Sequence, residues 1–275
     1  MSPGRVSRHP PALAKLLRQA LVAEGRPAAF ILAGHNGSGK STLWYERLVP
    51  TLQMPLVNAD RLTASILPPA DERTQKLPVW AQRLRDDDDR WQRLSQEGVR
   101  TFKRLVMEQR IPFAFETVFS HWRRLPGGGF ESKADDIKQL QEAGYFVVLL
   151  FVGLASVNLS VLRVNTRKQQ GGHGVPLDKL LVRFPRTQAA IAHAAPLADM
   201  TLMFDNSRTY DRAFSLVRAQ RGDSVLFDCR DEAYRIDGTL RRVAQAWLPK
   251  VAGPWPAAGG TDVIAAAKTT RKLPR

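Results

Sequence analysis

Leu13, Leu16, Leu17, Ala20 and Leu21 recur at helical spacing, which predicts an amphipathic helix over 11–24, stopped by Gly25 and Pro27. Ala28 to Ala33 then form an unbroken apolar run, the pattern of a strand covered on both faces. Four further runs behave alike: Pro55–Val57 ending at Asn58, Ile111–Phe115 at Glu116, Tyr145–Val152 at Gly153, and Met200–Phe204 at Asp205. Helical stretches are expected between them at 40–49, 60–66, 89–109, 132–143, 156–168 and 177–194. Strand alternating with helix implies parallel pairing with crossover helices. The expected fold is therefore α/β, a three-layer parallel sheet with helices on both faces. Ligands of such a sheet bind at the carboxyl ends of its strands.

The pattern changes after residue 210. Ala213–Val217 and Ser224–Phe227 flank Arg221-Gly222-Asp223, which reads as a C-terminal hairpin, followed by a short helix near 238–248. The chain divides into an N-terminal helical extension (1–27), the α/β body (28–208), the hairpin and helix on the same domain (209–252), and a basic tail (253–275). That tail is diluted by Pro254, Pro256, Gly259 and Gly260 and is expected to be disordered.

The strongest chemical signal follows the first buried run. Gly34-His35-Asn36-Gly37-Ser38-Gly39-Lys40-Ser41 fits G-x-x-x-x-G-K-S/T without a mismatch, which makes the fold a P-loop NTPase type. Its glycines let backbone N–H groups turn inward on phosphate oxygens, and the helix opening at Lys40 adds its positive end. Gly34, Asn36, Gly37, Ser38, Gly39, Lys40, Ser41 and Thr42 are thus expected to bind ATP. Lys40 would reach the β- and γ-phosphates and Ser41 would ligate Mg²⁺.

A phosphate loop does not name the phosphate acceptor. A kinase needs a carboxylate at the acceptor hydroxyl, and Asp60 follows the second strand directly. The same residue could equally be an ordinary helix N-cap. Glu116 ends the third strand and could bind the acceptor hydroxyl, join the magnesium shell or cap a helix. Arg163 and Arg167 lie four apart on one helix face, with Arg183 and Arg186 on the next helix. The glycine-rich segment 169–176 between them reads as a lid whose arginines meet the transferred phosphoryl group. Asp205-Asn206-Ser207, at the end of the last parallel strand, could meet an adenine or form a turn. Trp80 and Trp91 are expected to be packing residues rather than stacking platforms. The charged stretch Arg83 to Arg93 reads as a helix start on a solvated face. His35 and His173 lack a third partner at metal-ligand spacing.

Composition narrows the classes. One cysteine, Cys229, excludes an internal disulfide framework. The longest apolar run, Tyr145 to Ala155, is shorter than the about 20 residues of a membrane span, so no membrane association and a cytoplasmic location are expected. The net charge is +15, of which residues 1–28 hold +4 and residues 240–275 hold +6. With most of the excess at the ends, a nucleic-acid partner is not expected, since a binder would carry a basic stripe on its folded body.

Taken together, AGHNGSGKST (33–42), VNAD (57–60), FETVFS (115–120), GYFVVLLFVGLAS (144–156), RVNTRKQQGGHGVP (163–176), RFPR (183–186) and FDNS (204–207) make the chain resemble the zeta toxin family of P-loop kinases. The resemblance implies transfer of the ATP γ-phosphate to the 3′-hydroxyl of UDP-N-acetylglucosamine, and a toxin held by an antitoxin. It makes Asp60 the catalytic base, Glu116 and Thr117 acceptor-sugar contacts, and Arg163 the first phosphate-clamping arginine. Where family members carry a second arginine before the lid proline, this chain has His173, leaving Arg167 and Arg183 as alternatives for that charge. Two other functions stay open: a related kinase acting on another nucleotide hydroxyl, and a nucleic-acid-linked NTPase.

Overall fold

The computed structural model describes residues 8–255 apart from 72, 75, 129 and 170–173. The chain runs α1 (Leu13–Leu21), β1 (Ala28–Gly34), α2 (Lys40–Leu43), a π-type turn (Trp44–Leu48), α3 (Val49–Leu52), β2 (Leu56–Val57), α4 (Ala59–Ser65), α5 (Val79–Asp87), α6 (Asp89–Glu108), β3 (Phe113–Thr117), β4 (Trp122–Arg124), β5 (Phe130–Ser132), α7 (Ala134–Glu142), β6 (Phe146–Gly153), α8 (Val157–Gln169), α9 (Leu177–Ala194), β7 (Met200–Asp205), β8 (Ser215–Arg221), β9 (Ser224–Asp228), α10 (Gly238–Gln245) and α11 (Leu248–Ala252).

Seven strands make one sheet in the order β2-β3-β1-β6-β7-β8-β9. The first five are parallel. The C-terminal hairpin does not stand apart, because β8 pairs antiparallel with β7 and extends the sheet. Every residue of β1, β6 and β7 is buried, which explains their continuous apolar runs: helices cover both faces and leave no polar side for alternation. β1 lies between β3 and β6, and its register sets Leu32 beside Glu116 and Ala33 beside Thr117. That pairing brings the end of β3 against the start of the phosphate loop.

The predicted helix 40–49 continues to Leu52 with one widened turn. Pro50 cannot donate to the fourth carbonyl back, and its ring would strike that carbonyl. The chain relieves this by a π-type turn in which Val49 N bonds Trp44 O. The expected helix over 132–143 starts later, at Ala134, because Phe130–Ser132 pairs with Trp122–Arg124 in a small hairpin the sequence pattern did not reveal. The charged run 83–93 is a junction rather than one helix start: α5 ends at Asp87, and Asp88 caps α6 by accepting from Arg90 N and Trp91 N. Trp80 departs from the packing expectation, standing 58% exposed on α5, whereas Trp91 is half-buried. The helix expected at 238–248 breaks at Ala246-Trp247 into α10 and α11.

One hydrophobic core runs through all of this. α1 contributes Leu16, Leu17 and Ala20, and the C-terminal helices contribute Leu240, Ala244, Trp247, Leu248 and Val251. Residues 256–275, including most of the predicted basic tail, lie outside the described residues.

Candidate active site

The phosphate loop connects β1 to α2 in the strand-loop-helix setting its chemistry requires. Gly37 (φ 69°) and Gly39 (φ 87°) occupy the left-handed region, where a side chain is strained. A Cβ on Gly39 would also meet Asn206 Nδ2 at 2.7 Å, and one on Gly37 would meet the Arg163 Cβ at 3.1 Å. The loop is therefore closely backed on two sides. Asn206 Nδ2 donates to Ser38 O (2.8 Å), and Ser160 Oγ donates to Asn36 O (2.6 Å). Thr42 follows Ser41 on α2 and is half-buried.

Lys40 is buried. Its Nζ donates to the carbonyls of His35 (3.1 Å) and Gly34 (3.4 Å) and lies 3.7 Å from Glu116 Oε1. Burial lowers its pKa. Glu116 and Asp60 work against that, and Arg167 adds to it. Ser41 Oγ donates to Glu116 Oε2 at 2.8 Å, and Asn58 Nδ2 donates to the same oxygen at 2.8 Å. Hydroxyl and carboxylate oxygens gathered beside a phosphate loop fit Mg²⁺, which takes one or two protein oxygens and fills its shell with phosphate and water. Glu116 therefore lies against both Ser41 and Lys40.

The helix cap that the sequence left open for Asp60 falls to Asn58. Asn58 is the N-cap of α4, its Oδ1 accepting from Asp60 N (2.8 Å) and Arg61 N (3.3 Å). The Asp60 carboxylate is left exposed in the wall of a cavity of about 530 Å³. Ser41, Asn58, Glu116, Arg85 and Arg167 share that cavity, and Leu67, Pro68, Pro69 and Leu77 give it one apolar side. Thr117 lies elsewhere. It lines a neighbouring cavity of about 760 Å³ with Lys103, Arg100 and Phe115, and its Oγ1 accepts from Phe119 N (3.3 Å). The two cavities meet at Ala59, Gln96 and Glu116. Sequence reasoning missed Lys103, which lies 4.1 Å over the Phe115 ring and 3.3 Å from Asp136. Its only sequence signal was a basic residue on a long helix.

A family model described as Zeta toxin matches residues 14–228. The chain belongs to the zeta toxin family. No functionally curated protein matches it. Among solved structures, AvrRxo1-ORF1:-ORF2 with ATP is similar at 17% identity and a TM-score of 0.53, covering 90% of this chain and 70% of that one. The same pair with sulphate ions gives 16% identity and 0.52, covering 87% and 81%. The PezAT toxin–antitoxin system of Streptococcus pneumoniae gives 14% identity and 0.48, covering 89% and 87%. The family match and the two AvrRxo1 structures speak for the fold: the chain has a P-loop kinase-like α/β architecture.

The three candidate arginines separate in space. Arg163 on α8 packs its stem against Gly37. Burial lowers its pKa, and the nearby Asp205 charge opposes the shift. Arg167, one turn on, reaches the Asp60 cavity. Arg183 on α9 instead sits on the loop's flank beside His35 and Asn36. His173 and the lid residues 170–173 lie outside the described residues. Asp205-Asn206-Ser207 turns out to be a brace. Asp205 is fully buried, and Asn206 holds the phosphate loop.

Proposed function

We propose that this zeta toxin is an ATP-dependent kinase that transfers the γ-phosphate to a sugar hydroxyl, the 3′-hydroxyl of UDP-N-acetylglucosamine being the acceptor the family resemblance implies. One observation carries the reading. Ser41 and Glu116, suited to magnesium, and Asp60, suited to a hydroxyl proton, face one cavity that adjoins the phosphate loop. A motor NTPase has no need of an acceptor cavity there.

Asp60 accepts the proton of the attacking sugar hydroxyl. The sugar hydroxyl oxygen forms the new bond to the γ-phosphorus as the bond to the β-phosphate oxygen breaks, and ADP leaves. Lys40 and Arg163 hold the phosphates from two sides, and Arg167 is the better placed second arginine because it shares the cavity with Asp60. Ser41, with Glu116 beside it, would hold a magnesium ion, which would supply neutralising charge to the phosphates when bound. An acceptor of nucleotide-sugar size extends from Asp60 past Glu116 into the cavity of Thr117 and Lys103. A protein antitoxin is the proposed partner, in keeping with the family and with the two-protein AvrRxo1 complexes.

The test is to incubate the purified chain with ATP, Mg²⁺ and a panel of nucleotide sugars and dinucleotides, and to identify products by mass. A phosphorylated nucleotide sugar is expected. A phosphorylated dinucleotide alone would move the acceptor to another nucleotide hydroxyl, and phosphate release without any phosphorylated acceptor would end the kinase reading.

A further inference from the structure

The contacts that back the phosphate loop lead on to a residue beyond the family match. The match ends at residue 228, yet Trp247 is fully buried beneath the end of the sheet that carries the site. Its indole lies edge-on to Phe151 of β6 (5.5 Å between ring centroids) and fills the space over Gly153. A Cβ at Gly153 would stand 2.5 Å from the indole, so the strand end and the tryptophan are fitted to each other.

Trp247 Nε1 donates to Asp205 Oδ2 at 2.8 Å. The same oxygen accepts from Ser207 Oγ (2.9 Å), and Asp205 Oδ1 accepts from Ser207 N (3.0 Å). Ser207 Oγ in turn accepts from Ala155 N (2.8 Å), just before α8, the helix of Arg163 and Arg167. Between Asp205 and Ser207 stands Asn206, whose N donates to Gly153 O (3.2 Å) and whose Nδ2 donates to Ser38 O in the phosphate loop. The negative charge of Asp205 also favours the charged form of Arg163. A buried carboxylate is costly unless its oxygens are bonded, so these donors fix Asp205 and the turn it begins.

We infer that Trp247 is a positioning residue for the nucleotide: through Asp205 it holds Asn206, and so the phosphate loop, in the phosphate-binding shape. The C-terminal segment after β9 then supports the nucleotide site from behind. The inference rests on the reading of that loop as an ATP site, and it needs no acceptor.

The experiment is calorimetric titration of the full chain with Mg²⁺ and the non-hydrolysable β,γ-imido analogue of ATP. Trp247→Phe keeps an aromatic plug and removes only the N–H donor. It is expected to weaken analogue binding about tenfold, the loss of about 1.4 kcal/mol, within the range of one hydrogen bond to a charged group. Asn206→Ala is expected to weaken binding as well, and the two changes together should do no more than Asn206→Ala alone, because they act along one chain of contacts. Should Trp247→Phe fail to fold, Ser207→Ala removes a second donor from the same Asp205 oxygen and carries the same expectation. Equal affinity in wild type and variant, with only the melting temperature lowered, overturns the inference, as do fully additive losses. A wild type that does not bind the analogue is a different result: it overturns the ATP-site reading, and this inference with it.

Discussion

Asn58 and Asp60 stand two residues apart, both able to cap a helix, and the fold gives the cap to Asn58. Its oxygen serves two backbone donors while its amide reaches Glu116. Asp60, relieved of that duty, faces the cavity. Asp60→Asn is therefore expected to lower phosphoryl transfer by at least about a hundredfold, the usual share of a general base, while ATP binding measured by titration stays near wild type. Near-normal transfer would remove Asp60 from the chemistry. His35 makes a different point at the same scale. It is 2% exposed, stacks on Phe184 at 3.8 Å, and has its pKa lowered to about 3, first by burial and then by the charges of Lys40 and Lys250. A group whose folded pKa is depressed below an ordinary 6.5 contributes no pH dependence above that value; stability is lost as pH falls through the window from about 6.5 to about 3, where only the unfolded chain takes up the proton. His35→Phe should flatten that part of the stability–pH curve in thermal melts. The phosphate loop was legible in the sequence because its chemistry is contiguous. The division of labour between Asn58 and Asp60 was not, since which of two such residues caps depends on where the helix axis starts.

Among elements, α8 shows how far spacing carries an argument. Arg163 and Arg167 share a face, as four-residue spacing requires, but only the packing of α8 against Gly37 shows that one backs the loop and the other enters the cavity. Arg183, on α9, is turned toward His35. Arg167→Ala is expected to lower kcat about a hundredfold, as removal of a transition-state cation does, and Arg183→Ala to have the smaller effect; steady-state kinetics on both variants decide it. Asn58→Ala should cost about 1 kcal/mol in denaturant melts, an ordinary loss for an N-cap. The helix spans of α8 and α9 were legible as the stretches between the buried runs. The β4–β5 hairpin, the split between α10 and α11 and the contact of Glu116 with Ser41 did not, because strand order and long-range packing decide them. Glu116 meets Ser41 only because β3 lies next to β1.

For the whole molecule, the α/β class, the parallel sheet and a C-terminal segment on the same domain could be read from the sequence, whereas the membership of α1 in the core could not. Leu17 in α1 and Trp247 before α11 both belong to the core, so the flanking segments are structural members of the α/β body. Leu17→Ala is expected to cost about 2–5 kcal/mol, as large-to-small changes in cores do, and to lower the melting temperature in a single transition. Among the described residues, no helix is long and apolar enough to cross a membrane. Ten of the fifteen excess positive charges lie in the terminal segments, leaving +5 for residues 29–239, which include Lys40 and Arg163 of the candidate site. That distribution suits small polyanionic substrates. The most direct test of the account is to treat UDP-N-acetylglucosamine with the chain, ATP and Mg²⁺, and to locate any new phosphate by NMR. The account predicts one phosphoryl group on the sugar 3′-hydroxyl, formed by wild type and lost in Asp60→Asn. Inorganic phosphate as the sole product, or the same product at the same rate from Asp60→Asn, would contradict it.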